Sequence, residues 1–99
     1  VFEKKALHEI DKLESNIKER ILNKLQDCKP DPFRFFEKLV ETLGYKLRVG
    51  DYRVVADIIA EKEAIIILKI GHRKNVYDWY IKQSLIAFQN MILVQHLIP

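Results

Sequence analysis

One cysteine, three glycines and three prolines among 99 residues are too few for several kinds of protein. A single cysteine excludes a disulfide framework and any cysteine-rich zinc site, and it fits a reducing cytoplasm. So little glycine and proline excludes a collagen-like or low-complexity chain. With 48% hydrophobic and 31% charged residues, the chain is too apolar to be a disordered tail and too short for a multidomain enzyme. What remains is one domain able to bury a real core. Val1 leads straight into the charged Glu3, Lys4 and Lys5, so no signal peptide is expected.

The formal charge is only +3, but its placement is informative. Residues 1–43 carry nine basic and nine acidic side chains, residues 44–77 seven and four, and residues 78–99 one of each. The whole surplus sits in the middle third. A local basic field points to a polyanion such as nucleic acid more strongly than a diffuse one does.

Leu7, Ile10, Leu13 and Ile17, then Ile21, Leu25 and Cys28, recur at helical spacing with charges between them. Ser15-Asn16 offers an N-cap midway, which predicts a hairpin of two helices over about 3–13 and 16–28, with one continuous helix as the alternative. Asp31 as N-cap and Pro32 at the first helical position start a third helix; Phe33, Phe36, Val40 and Leu43 share its face and Gly44 ends it. From Tyr45 the period becomes two. Lys46 to Val49, the turn dipeptide Gly50-Asp51 and Tyr52 to Val55 read as a β-hairpin. Ala64 to Ile70, after Glu61-Lys62-Glu63, is a further β run. The expected fold is α+β: an N-terminal helical hairpin packed on a small antiparallel β-sheet of three strands.

With Gly50-Asp51 as a two-residue loop, Val49 pairs with Tyr52 and Arg48 lies directly opposite Arg53, while Lys46 shares their face. A three-residue loop at Glu61-Lys62-Glu63 pairs Val55 with Lys69 and Arg53 with Gly71. Lys69 then joins the same face, with Arg73 just beyond the strand end; a two-residue loop reverses that parity. Like charges opposite one another destabilise a sheet, and Asp57 is the one carboxylate expected nearby, so a bound polyanion would offset a real cost. A solvated face whose long side chains splay into water is the plainer explanation. Gly71 to Tyr80 then brings His72, Arg73 and Lys74 together with the rings of Tyr77, Trp79 and Tyr80. Single-stranded RNA is held by phosphate contacts and base stacking, which suits that mixture. Trp79 and Tyr80 can equally close the core.

Tyr45 to Val55, followed by Gly71-His72-Arg73-Lys74-Asn75-Val76-Tyr77, closely resembles the RelE/ParE toxin superfamily, and the resemblance covers about residues 1–80. It implies the toxin of a toxin–antitoxin pair, partnered by a cognate antitoxin protein. The RelE branch cleaves mRNA on the ribosome as a metal-independent endoribonuclease, without a cofactor, by attack of the ribose 2′-hydroxyl on the adjacent phosphate. The family's catalytic positions carry over to Lys46, Arg53, Arg73 and Tyr77. Arg48, Lys69, His72 and Lys74 are the candidate RNA-binding residues. Guanidinium groups of Arg53 and Arg73 suit the charge that develops on phosphorus-bound oxygen. Lys46 is a candidate general base if clustered cations lower its pKa. Tyr77 can stack on a base, and His72 can protonate the leaving group. Two other readings share the fold: a ParE-like inhibitor of DNA gyrase, and an inactive homologue that only binds its antitoxin.

The division expected is a toxin domain over 1–80 and an apolar extension over 81–99. Residues 83–99 contain no Asp, Glu, Lys or Arg. Ile81, Leu85, Phe88 and Ile92 form one helical stripe, and Ile86, Leu93 and Leu97 another, which predicts a buried C-terminal helix. Gln89, Asn90, Gln95 and His96 interrupt the run, which is too short for a membrane span of about 20 apolar residues. Packing on its own sheet, forming a homodimer, filling an antitoxin groove and being a non-native extension are the alternatives for it.

Overall fold

The computed structural model describes residues 1–39, 44–79 and 82. The apolar period of the first 28 residues resolves into α1 (Lys4–Asp11) and α2 (Ser15–Cys28), the expected hairpin. Ala6 and Ile10 are the buried residues of α1, and Ile21 and Cys28 those of α2. Leu7 falls off the stripe and stays exposed, because Ala6 and Ile10, four residues apart, take the inward face.

The third helix is shorter than predicted. α3 (Pro32–Phe35) is a single turn that Pro32 starts and that ends when Phe36 becomes extended. Phe36 is buried in the main core, and that burial outweighs continued helix. The chain then enters a two-residue edge strand, β1 (Glu37–Lys38). The sheet therefore has four strands rather than three, in the order β1, β2 (Tyr45–Val49), β3 (Tyr52–Ile59) and β4 (Ala64–His72), all antiparallel.

The β2–β3 register is the one expected: Val49 pairs with Tyr52 and Arg48 with Arg53. Gly50 has φ of +59° and Asp51 a negative φ, the pattern of a type II′ turn that only glycine enters freely at its first central position. The β3–β4 connection is one residue longer than predicted. A 3₁₀ turn at Ala60–Lys62 and a left-handed Glu63 set Ile59 opposite Ala64. That register alone would turn Lys69 toward the helical hairpin. A bulge between Val55 and Ala56 restores the pairing of Val55 with Lys69 and Arg53 with Gly71.

The helical hairpin covers one face of the sheet, where Leu47, Val49, Val54, Ala56, Ile67 and Ile70 join the buried residues of α1 and α2. On the other face, a helical segment over 73–79 (α4) places Val76 against Val55 and Leu39, with Trp79 packed on them. Trp79 thus closes a small second core. The outer edge of β4 is covered by the N-terminal residues: Glu3 donates its N–H to Ile67, and Phe2 bridges Ile67 in parallel. Among the described residues no helix is long and apolar enough to cross a membrane. The uncharged segment 83–99, with its predicted helix and homodimer contact, lies outside the described residues, as do Val40, Leu43 and Tyr80.

Candidate nucleic-acid interface

The β2–β3 turn gathers the cations. Arg48 and Arg53 face each other across the ladder, and the backbone N–H of Arg73 donates to the Asp51 carbonyl at 2.8 Å. That bond fixes the start of α4 beside the turn. Arg53 in turn donates from Nη1 to the carbonyls of Gly50 and Tyr52, each at 2.8 Å. The guanidinium is therefore held against the turn before any ligand arrives.

Burial, then repulsion from Arg48 and Arg73, pushes the Arg53 pKa below its ordinary value, against the opposing pull of Asp51 and Glu37. Three guanidinium groups thus share one field at the end of the sheet. Lys46 lies on the same sheet face, two residues along from Arg48, with Nζ 4.0 Å from the Glu37 carboxylate. Glu37 is the residue that sequence reasoning missed. Its position after Asp31-Pro32 reads as helix, whereas β1 sets it opposite Lys46 in the ladder.

Tyr77 follows Arg73 by four residues on α4, so the two share a helix face, and Tyr77 is 64% exposed. Lys74 is exposed on the same segment. Lys46, Arg48 and Arg53 thus share one sheet face, and α4, which carries Arg73 and Tyr77, packs on that face through Val76 and Val55.

Two predicted residues are drawn elsewhere. Lys69 occupies the expected register, but its ammonium is ion-paired with Glu9 of α1, and both side chains are largely buried, at 16% and 20% exposure. The same carboxylate accepts the Ile70 N–H at 3.3 Å. Lys69 is spent on holding α1 to β4. His72 pairs with Tyr52 across the ladder, and their rings meet edge to face with centroids 5.7 Å apart. It therefore points to the opposite face from Arg53 and Gly71. Its Nδ1 accepts the Lys74 N–H at 3.4 Å, a long bond that caps the entry into α4.

An apolar cavity of about 720 Å³ lies on the helical-hairpin side, lined in part by Phe2, Leu22, Leu25, Phe33, Ile58 and Ile65. None of the predicted site residues borders it. The chemistry-bearing side chains sit on an open, charged surface instead.

Fold and site together define a small α+β protein whose cations converge at one end of its sheet. The family model of the ParE toxin of type II toxin–antitoxin systems matches residues 1–77. The mRNA interferase toxin RelE of Escherichia coli K12 is 32% identical over 89 residues, which cover 85% of this chain and 94% of that protein. The isolated E. coli RelE toxin superposes with a TM-score of 0.63 at 29% identity, covering 83% of this chain and 93% of the other. A toxin–antitoxin complex from Mycobacterium tuberculosis shares the fold, with a TM-score of 0.68 at 24% identity over 73% of this chain and 93% of its own. The chain belongs to the RelE/ParE superfamily of toxins.

Proposed function

We propose that this protein is the toxin of a toxin–antitoxin pair and that it cleaves mRNA on the ribosome. The observation that carries the reading is the convergence of three arginines on the β2–β3 turn: Arg48 and Arg53 are opposite in the ladder, and the Arg73 backbone is bonded to Asp51. In the proposed reaction the 2′-hydroxyl oxygen attacks the adjacent phosphorus and the bond to the 5′-oxygen breaks. The products are a 2′,3′-cyclic phosphate and a 5′-hydroxyl. Negative charge grows on the phosphoryl oxygens in the transition state, and fixed guanidinium groups favour that state over the ground state. Arg53 is pre-held by two backbone carbonyls, so it needs little reorganisation to act. Arg73 is anchored through its own backbone, which leaves its side chain to grip phosphate.

Lys46 adds charge to the same face, moderated by Glu37. The exposed Tyr77 ring is a stacking platform for a base beside the scissile phosphate. The proposed step does not draw on His72, whose register pairs it with Tyr52, or on Lys69, which is ion-paired with Glu9. An antitoxin protein would neutralise the toxin, and the apolar cavity with exposed Phe33 and Leu22 is a surface for a hydrophobic segment of it.

The test is cleavage of message on programmed ribosomes in the presence of a transition-metal chelator. Wild type should cut, and Arg73→Ala should cut at least about a hundredfold more slowly. An unaffected variant would refute the assignment. Because the matching family model bears the ParE name, DNA gyrase supercoiling is assayed alongside; inhibited gyrase with intact message would favour the gyrase-directed alternative.

A further inference from the structure

Arg20 and Lys24 stand one turn apart on α2 and share a helix face. Along the sequence their charges cancel against Glu19 and Asp27, so a count by segment hides them. In the fold they reach the β2–β3 turn from the side opposite Arg53. The Arg20 guanidinium lies against Gly50, where a Cβ would come within 3.0 Å of Nη2. Arg20, Asn23, Lys24, Asp27, Arg48 and Gly50 line a cleft of about 320 Å³. That is at the low end of the range for small-ligand sites, about 300–1,000 Å³.

Three cations face one carboxylate in this cleft, and among the described residues none of the four is in an ion pair. The Lys24 ammonium sits 4.8 Å from the centroid of the Phe35 ring, an arrangement that orients it and leaves its N–H donors for an anion. Arg48 borders the cleft and also stands opposite Arg53, so it joins the two cationic regions into one track. Continuity with the phosphate-handling cluster favours a nucleic-acid backbone over an acidic peptide.

We propose that this cleft binds a second backbone phosphate of the same single-stranded RNA, so that the strand crosses the β2–β3 turn with Arg48 touching both sites. The inference rests on the RNA reading above and extends it from one phosphate to a path. Arg20 and Lys24 hold the flanking phosphate, and Asn23 offers its amide to the attached ribose.

The test is binding of fluorescent 2′-O-methyl oligoribonucleotides, which lack the attacking hydroxyl, measured by anisotropy at several salt concentrations. A trinucleotide fills only the central site, whereas an octanucleotide spans both. The Arg20→Ala/Lys24→Ala variant should bind the octanucleotide about tenfold more weakly, with a salt slope shallower by about 0.7 for each phosphate it no longer neutralises. It should bind the trinucleotide as wild type does, and Arg20→Lys/Lys24→Arg should restore octanucleotide binding. Asp27→Asn should tighten octanucleotide binding about threefold by removing the one carboxylate, a gain that misfolding cannot mimic. Unchanged octanucleotide binding, equal losses at both lengths, or no gain from Asp27→Asn would overturn the cleft. In those cases wild-type cleavage of ribosome-bound message still upholds the RNA reading; absent cleavage with no binding of either oligomer overturns both.

Discussion

Arg48 and Arg53 stand directly opposite each other across the β2–β3 ladder, and a further arginine, Arg73, adds its repulsion to Arg53. A sheet gains nothing from that arrangement. Like charges in direct cross-strand positions cost a few tenths of a kcal/mol to about 1 kcal/mol. The same geometry is useful only when an anion sits among the three.

Replacing Arg48 by threonine therefore separates stability from function. Threonine suits an exposed strand position and removes the repulsion. Arg48→Thr should stabilise the fold by about 0.5 kcal/mol, raising Tm by about 2–4 °C. It should also slow message cleavage about tenfold, since one guanidinium of the field is gone. Thermal unfolding and cleavage assays on the same preparation check both; a fall in Tm would show that the pair is not repulsive.

The ion pair between Glu9 and Lys69 makes the opposite prediction. Glu9→Gln keeps an acceptor for the Ile70 N–H but leaves the largely buried Lys69 ammonium unpaired, which should cost about 2 kcal/mol by urea unfolding. Glu9→Gln/Lys69→Met should recover most of that stability, because an apolar side chain needs no partner. The double variant should cleave message at the wild-type rate. A large drop in cleavage would return Lys69 to the RNA face.

Much of this layout is legible in the residues, and where it is not the reason is long-range. The period of two around Gly50-Asp51 fixes the Arg48–Arg53 pairing, because a two-residue turn allows one register. The pairing of Arg53 with Gly71 matches expectation by a different route: the connection is one residue longer, and the bulge at Val55 and Ala56 compensates. No local pattern announces that bulge. Phe36 and Glu37 read as helix because the start signal at Asp31-Pro32 is strong, yet burial of Phe36 pulls the chain into β1. Lys69 and His72 have the right chemistry for RNA, but their partners Glu9 and Tyr52 are distant in sequence. Arg20 and Lys24 are invisible to a charge count because Glu19 and Asp27 cancel them in sequence, whereas in the cleft Arg48 joins them and Asp27 is the one carboxylate among the lining residues.

Cys28 gives the fold a pH dependence of known sign. Its thiol is fully buried, and burial raises its pKa above the ordinary thiol value, with Lys24 opposing and Asp27 adding a smaller increase. The native state then keeps a proton that the unfolded chain releases at about pH 8.5. Stability contributed by the neutral thiol is complete below that pH and is lost as pH rises through the folded pKa. Urea unfolding from about pH 7 to 10 should show a decline that Cys28→Ala reduces; an identical decline in the variant would assign it to other groups.

The seat of α4 depends on a side chain that is absent. Gly71 lies opposite Arg53, and a Cβ there would come within 3.3 Å of Val76 Cγ2. Val76 is buried against Val55 and Leu39, so it has little room to yield. A methyl group at position 71 requires Val76 to give by a few tenths of an ångström, and the expected outcome is a shift of the helix that begins with Arg73 and carries Tyr77. Misplacement of catalytic groups by about 1 Å can cost a hundredfold in rate. Gly71→Ala should therefore slow cleavage about tenfold or more while leaving the main core beneath α1 and α2 intact. Val76→Ala opens the space that the new methyl needs, at a stability cost of about 1–2 kcal/mol. The Gly71→Ala/Val76→Ala variant should then regain much of the rate although it is less stable than Gly71→Ala. Recovery of activity against a falling Tm is the signature of a displaced helix. Failure to recover would mean that Gly71 acts through its own backbone, not through the position of Arg73.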